Sequence, residues 1–188
     1  MKMKRTQILA IVTLVTSLSV LVEWTLKAQE KTIPDKDTLK ALNGVAFSEF
    51  KGYEDWPDVA VSQTDTGIKA ILANPIMIKA YRDGILGNGQ PFPEGSMIVK
   101  IEWARVPNPV SPYAVNVPGE LKSVSFIEKD SKRFPDSSSW GFAQFLYHPA
   151  SNTFTAYGKN ASFSTAVCYE CHKKVKDEDY IFTKYPLR

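Results

Sequence analysis

The amino-acid sequence predicts an α+β fold dominated by β structure, in which an antiparallel sheet carries a few peripheral helices. Three observations lead to this prediction. Between residues 97 and 157, short runs of β-branched and aromatic residues are separated by Gly, Asn and Pro, the pattern of antiparallel strands joined by turns. Helical patterns are short and flank that region, and the last of them contains both cysteines. Roughly 160 residues follow an atypical N-terminus, which is enough for one domain with a single core.

The first 28 residues are typical of a secretory signal peptide. Three basic residues precede an apolar run over residues 8–22, which is shorter than the roughly 18–20 residues that span a bilayer. An uncleaved N-terminal anchor is the alternative. Residues 29–45 are polar and are expected to form a tether, and residues 46–188 are expected to form a single domain. The sequence therefore predicts export to the periplasm.

The charge of the chain argues against nucleic acid as a partner. The formal net charge of +3 lies entirely within the first 28 residues. The remainder is neutral and has no basic stripe of the kind that binds a phosphate backbone.

The region before residue 87 is expected to mix short helices with strands. One helix is expected over residues 38–50 and another over residues 76–82. Between them, residues 59–62 are expected to be extended, and residues 68–72 to form a strand. That strand ends before Pro75, because a residue preceding proline disfavours the helical conformation.

Four further strands are predicted after residue 87, and a helix follows them. The strands cover residues 97–106, 122–129, 141–148 and 153–157. In the first of them, Ile98, Lys100 and Glu102 share one face. The third is apolar on both faces, as expected of a strand that is covered on both sides. The helical pattern returns over residues 166–176.

The most informative motif is Cys168-Tyr-Glu-Cys171-His172. Two cysteines at positions i and i+3 of a helix lie on one side, roughly 5–6 Å apart, which suits thioether bonds to two vinyl groups of one porphyrin. His172 follows directly and can bring its imidazole over the ring to bind iron. The motif therefore predicts one covalent haem c, with Cys168 and Cys171 as its attachment points and His172 as the metal ligand.

Three other uses of a cysteine pair fit the sequence less well. A structural zinc site usually takes four ligands from two separated pairs, and beyond this motif the chain offers only His148 and carboxylates. A thioredoxin-like redox pair normally lies near a βαβ pattern, whereas antiparallel-looking strands precede this one. A simple disulfide would leave the adjacent histidine unexplained.

Three further segments carry a resemblance to a known family. They are Glu128–Phe134, Trp140–Phe142 and Asp179–Pro186. With the cysteine motif near the C-terminus, they make the chain similar, over residues 53–186, to the cytochrome P-460 family, which includes the β-type cytochromes c′. The resemblance implies a largely antiparallel β fold, often dimeric, with five-coordinate haem iron and an open distal side.

The resemblance also implies roles for three other residues. Lys100 falls where the name-giving enzymes have a lysine bonded to the porphyrin, although its strand pattern equally fits a solvated face. Lys69 stands where relatives often have a distal arginine, and it keeps the charge without the planar fork of donors. Ser125 aligns with an acid used for proton transfer, and a hydroxyl cannot accept a proton near neutral pH. Apart from the resemblance, Phe163 lies just upstream of the cysteine motif and is expected to wall the haem pocket.

These observations lead to a functional hypothesis with two alternatives. We expect a periplasmic, homodimeric mono-haem cytochrome whose open site oxidises hydroxylamine or binds nitric oxide, with a soluble cytochrome as electron acceptor. The first alternative is a six-coordinate electron carrier that uses Met77, Met97 or His148 as the second iron ligand. The second is a protein that binds nitric oxide or carbon monoxide without turnover.

Overall fold

The computed structural model describes residues 35–86 and 88–187, which belong to one compact unit. The predicted signal peptide, or anchor, and the first part of the predicted tether lie outside the described residues. Within the part that is described, no helix is long and apolar enough to cross a membrane.

A single antiparallel sheet of six strands forms the centre of the molecule, so the predicted β-dominated α+β class is confirmed. The strands lie in the sheet in chain order, each paired with the next. They are β1 (Asp58–Gln63), β2 (Gly67–Ala73), β3 (Met97–Pro107), β4 (Asn116–Lys129), β5 (Trp140–His148) and β6 (Thr153–Ala156). All six predicted strands or extended segments are present.

Strand β4 begins six residues before its predicted start, and this lengthens the hairpin that it forms with β3. Val117 and Pro118 pair with Val106 and Arg105 of β3. Pro118 cannot donate a ladder hydrogen bond, and it is tolerated here because this end of β4 pairs with β3 alone. Because of this proline and the adjacent Gly119, the sequence does not indicate a strand here.

Helices lie at the periphery of the sheet. Helix α1 spans Pro75–Arg82, and its N-cap residue Asn74 accepts a hydrogen bond from the backbone N–H of Met77 at 3.0 Å. Helix α2 covers residues 164–178 and contains a π-helical part, Ser164–Tyr169, an α-helical turn, Glu170–His172, and a 3-10 part, Lys173–Glu178. Both helices that the sequence predicts in these regions are therefore present. Short 3-10 turns cover Lys36–Thr38, Phe47–Phe50, Tyr53–Asp55 and Pro135–Ser137.

The helix predicted over residues 38–50 is wrong. Two separate 3-10 turns occupy its ends, and Lys40 and Ala46 form an isolated β-bridge between them. Gly44 adopts a φ of 98°, which a right-handed helix does not allow. Ala41 and Val45 are buried in the core, so the packed region includes residues from the segment that we expected to be a tether.

The two faces of the sheet carry separate apolar clusters. One face packs against the N-terminal 3-10 turns, where the ring of Phe50 stacks on Phe126 with centroids 4.1 Å apart. The other face packs against α1 and the C-terminal segment, and its cluster includes Trp140 and Phe142. Strand β5 contributes to both clusters, as its apolar sequence predicts.

Candidate functional site

The second face of the sheet and the C-terminal segment line a cavity of about 420 Å³. Six of the seven residues that the sequence singles out line it together. They are Lys69, Lys100, Ser125, Cys168, Cys171 and His172. They come from β2, β3, β4 and α2, so the fold assembles in space a set that is spread over more than a hundred positions of the sequence.

The two cysteines present free thiols to this cavity. Cys168 lies in the π-helical part of α2 and is half-buried, and burial raises the pKa of its thiol. Cys171 lies in the α-helical turn and is exposed. Among residues 35–86 and 88–187, no three His, Cys, Asp or Glu side chains are grouped so that they could hold a metal ion by themselves.

The imidazole of His172 is fixed by a backbone hydrogen bond. Its Nδ1 lies 2.6 Å from the carbonyl oxygen of Tyr180. A carbonyl only accepts, so Nδ1 carries the hydrogen and Nε2 keeps its lone pair free for a metal. Burial lowers the pKa of His172, which favours the neutral form that ligates. The rings of Phe142 and Phe182 pack against the imidazole, at centroid distances of 4.8 and 5.0 Å.

Lys100 lies in the middle of a row of side chains that runs across four strands. Its partners in the register are Ile71 of β2 and Ser125 of β4, and Ser125 is paired in turn with Gln144 of β5. Burial lowers the pKa of Lys100, and the positive charge of Lys69 acts in the same direction. The amine is thus less strongly protonated than that of a surface lysine.

Lys69 and Phe163 differ in their relation to the cavity. Lys69 lines it from β2 and lies opposite Glu102 in the register. Phe163 does not line it. Its ring meets Tyr157 edge-on, with centroids 5.0 Å apart, and it borders a neighbouring cavity of about 210 Å³ that also touches Cys168.

Most of the apolar lining and three of the polar residues that line the cavity are not marked by the sequence. The missed apolar residues include Ile71, Ile98, Ile127, Phe142, Val167 and Ile181. The missed polar residues are Ser62, Gln144 and Thr183. Nε2 of Gln144 donates to the hydroxyl of Ser123 at 3.1 Å. A glutamine in an otherwise apolar strand is the one signal that marks this position in the sequence, because the apolar residues look like ordinary core.

The side chains considered as a second axial ligand lie elsewhere. Met77 is a residue of α1 and is fully buried in the apolar cluster, whereas Met97 packs on the opposite face of the sheet. His148 is at the exposed end of β5, with Nε2 2.8 Å from the hydroxyl of Thr155. None of the three lines the cavity.

The residues present fit a c-type haem. Two free thiols at i and i+3 match the vinyl attachment points, and the adjacent imidazole has its metal-binding nitrogen free. A largely apolar cavity of about 420 Å³ has the size and character of a cofactor site.

Comparison with known proteins agrees with this chemistry. A family model described as Cytochrome P460 matches residues 50–183. The match covers more than half of the chain and includes every residue that lines the cavity. A search of the curated proteins finds no match.

Proposed function

Because the chain belongs to the cytochrome P460 family, we propose that it is an exported mono-haem c-type cytochrome with an iron site open to small nitrogen species. The observation that supports this proposal most strongly is which side chains line the cavity of about 420 Å³. Both thiols and the imidazole of His172 line it, whereas the three candidates for a second axial ligand lie outside it.

The chain's own residues would hold and shape the site. Cys168 and Cys171 would bind the porphyrin through thioether bonds, and His172 would donate Nε2 to the iron. The haem, when bound, would supply a metal that coordinates small nitrogen species and exchanges electrons with a soluble cytochrome. The apolar lining would exclude water and favour small, weakly polar ligands such as nitric oxide.

One observation favours a catalytic role in hydroxylamine oxidation. Lys100 lines the cavity, and burial lowers the pKa of its amine. A less protonated amine is a better nucleophile, which supports the covalent bond to the porphyrin that the resemblance implies. Lys69, on the neighbouring strand, would place a positive charge near the bound ligand.

A second observation favours binding without turnover. Among the described residues that line the cavity there is no carboxylate, and the hydroxyl of Ser125 does not accept protons near neutral pH. Oxidation of hydroxylamine releases protons that a nearby base must accept. The same cavity therefore also supports a protein whose function is to bind nitric oxide, without turnover of a substrate.

Optical spectroscopy tests the open site. The ferrous protein, produced in a host that exports it and attaches haem, should be high-spin and should bind carbon monoxide at once. A low-spin spectrum that carbon monoxide leaves unchanged would contradict the proposal and support a six-coordinate electron carrier.

Two further measurements separate the candidate activities. Mass spectrometry of tryptic haem peptides should show the Lys100 peptide joined to the cysteine peptide if the chain is of the oxidising type. Turnover of hydroxylamine with an electron acceptor should then be measurable and should be lost in Lys100→Arg, which keeps the charge. A free Lys100 peptide and no turnover would leave ligand binding as the function.

A further inference from the structure

The carboxylate of Asp179 is enclosed by donors from three other segments of the chain. Its Oδ2 accepts hydrogen bonds from Nζ of Lys129 at 2.5 Å and from the backbone N–H of Phe92 at 2.8 Å. Its Oδ1 accepts a hydrogen bond from Nε1 of Trp140 at 3.3 Å. The side chains of Asp179 and Lys129 are only 14% and 8% exposed. The carboxylate thus joins the segment after α2 to the end of β4, the start of β5 and the loop before β3.

Asp179 and its neighbour form a strained turn at the end of α2. Asp179 has a φ of 47° and Tyr180 a φ of 65°, both in the left-handed region that residues other than glycine seldom adopt. Such a conformation persists only where the surroundings impose it, and it is common at functional sites. The three donors to the Asp179 carboxylate impose it here. Ser138 adds a restraint by donating its hydroxyl hydrogen to the phenolic oxygen of Tyr180 at 2.8 Å.

The strained turn determines where the carbonyl of Tyr180 points, and that carbonyl is the acceptor of the Nδ1 hydrogen of His172 at 2.6 Å. We propose that Asp179 is a positioning residue for the axial ligand: its buried carboxylate holds the turn that directs the Tyr180 carbonyl at His172. This inference rests on the proposed function, since it concerns His172 as the iron ligand. It adds a residue that touches neither the haem cavity nor the imidazole.

The expected consequence is a weaker bond between His172 and iron when the carboxylate is lost. The hydrogen bond at Nδ1 orients the ring and increases the electron density at Nε2, and outer partners of metal ligands commonly affect the metal bond strongly. If the turn relaxes, the carbonyl of Tyr180 moves away from Nδ1 and both effects diminish.

Resonance Raman spectroscopy of the ferrous, haem-loaded protein measures this bond directly through the iron–histidine stretching band. We expect Asp179→Asn to shift the band to lower frequency. Because that variant leaves the buried Lys129 unpaired, the double variant Asp179→Asn/Lys129→Met is measured beside it. Removing both partners of a buried ion pair while keeping their shape often has little effect on stability, and the double variant should show the same shift.

Asp130→Asn is the matched control, because the carboxylate of Asp130 accepts hydrogen bonds from the backbone of Lys132 and Arg133 in its own turn, whereas the donors to Asp179 are Lys129, Phe92 and Trp140. Its band should stay at the wild-type position. An unchanged band in both Asp179 variants would overturn the inference and leave the proposed function intact. A wild-type protein without haem, or without an iron–histidine band, would instead refute the proposed function.

Discussion

Lys100 shows how the fold changes the chemistry of a single residue. The sequence places it on a strand face with Ile98 and Glu102, which equally fits a solvated surface. In the structure that face borders the cavity, and burial is the main cause of the lowered pKa of Lys100. Its charged form is therefore destabilised in the folded protein.

We expect Lys100→Met to stabilise the haem-free protein at neutral pH. The variant removes a charge that folding partly desolvates, and a gain of about 1 kcal/mol would raise the midpoint of thermal unfolding by roughly 2–4 °C. At pH values between the lowered pKa of Lys100 in the folded protein and its ordinary value of 10.5, Lys100 is protonated to a larger extent in the unfolded chain than in the folded protein. The stability of the wild type therefore rises with pH in that window, and its deficit relative to Lys100→Met should vanish as the pH passes 10.5.

Thermal unfolding at several pH values measures this difference. Lys159→Met, a change at an exposed lysine, is the control and should have little effect. If Lys100→Met is no more stable than the wild type at pH 7, burial does not destabilise the Lys100 ammonium.

At the scale of elements, a charge cluster in which Glu128 is buried and its two partners are exposed joins the N-terminal 3-10 turns to β4. Nη1 of Arg133 lies 3.0 Å from Oε1 of Glu49 and 3.0 Å from Oε1 of Glu128. The contact with Glu128 lacks hydrogen-bond geometry, so this buried oxygen has no hydrogen-bond partner among the described residues. Burial, with the negative charge of Glu49, raises the pKa of Glu128 to about 7.

We expect Glu128→Gln to stabilise the protein at pH 8. The folded state binds the proton of Glu128 more tightly than the unfolded chain, in which the pKa of this group is 4.5. The free energy of unfolding therefore falls as the pH rises from 4.5 to about 7. Above that range the cost of the buried charge is fully present. The amide removes this penalty, while Arg133 keeps Glu49 and the carbonyl of Gly44 as partners.

Urea unfolding at pH 8 and at pH 4 checks this expectation. The variant should be more stable than the wild type at pH 8, and the advantage should be lost at pH 4. Glu120→Gln, at an exposed position of the same strand, should show no such dependence. A destabilised Glu128→Gln at pH 8 would mean that its ion pair with Arg133 outweighs the cost of burial.

The β4–β5 corner depends on a glycine for packing. A Cβ on Gly141 would lie 2.3 Å from Cε2 of Phe134, which is itself buried. We expect Gly141→Ala to cost about 1–3 kcal/mol, as overpacking of a core does. In the control Gly119→Ala, the new Cβ would lie 2.8 Å from Cγ1 of Val106, an exposed side chain that can move, so the loss should be smaller. Equal losses in urea unfolding would contradict this explanation.

The elements differ in how far the sequence alone could predict them. Strands β3 and β5 are evident because β-branched and aromatic residues alternate or run without interruption. The prediction of a helix over residues 38–50 was wrong, because this segment forms a β-bridge and two 3-10 turns whose apolar residues pack on one face of the sheet. That packing depends on the sheet and is not visible in the local sequence. The start of β4 was missed because Pro118 and Gly119 disfavour a strand, and pairing with β3 overrides that preference.

The site was predictable to the extent that a local motif encodes it. The spacing of Cys168, Cys171 and His172 marks the proposed attachment point without any knowledge of the fold. Gln144 and Phe142 could not be found in this way, because only the register of β4 and β5 brings them beside the motif. Phe163 is near Cys168 in sequence, yet the geometry of α2 places it beside Tyr157 instead.

At the scale of the whole molecule, the end of the β3–β4 hairpin is an unusual surface. Four large apolar side chains are exposed on it: Val106 (37%), Val110 (88%), Tyr113 (78%) and Val115 (40%). Exposed apolar patches of this kind commonly mark protein–protein contacts, which supports the expected homodimer.

We expect the protein to be a homodimer that Val110→Asp/Tyr113→Asp converts to a monomer, because two buried carboxylates would oppose an apolar contact. Light scattering after gel filtration gives the mass. Val61→Asp is the control, since Val61 is 76% exposed on β1, which β2 separates from the hairpin. A wild-type monomer, or a dimer that only Val61→Asp disrupts, would show that the hairpin is not the interface.

The central claim is that one haem is bound covalently by the cysteine motif of α2, and a tryptic digest tests it most directly. Trypsin cleaves after Lys159 and Lys173, so both cysteines and His172 fall in one peptide, residues 160–173. In protein from an export-competent host that attaches haem, we expect this peptide to carry the mass of one haem and to absorb visible light. A colourless peptide whose two thiols react with iodoacetamide, or are joined to each other, would contradict the account.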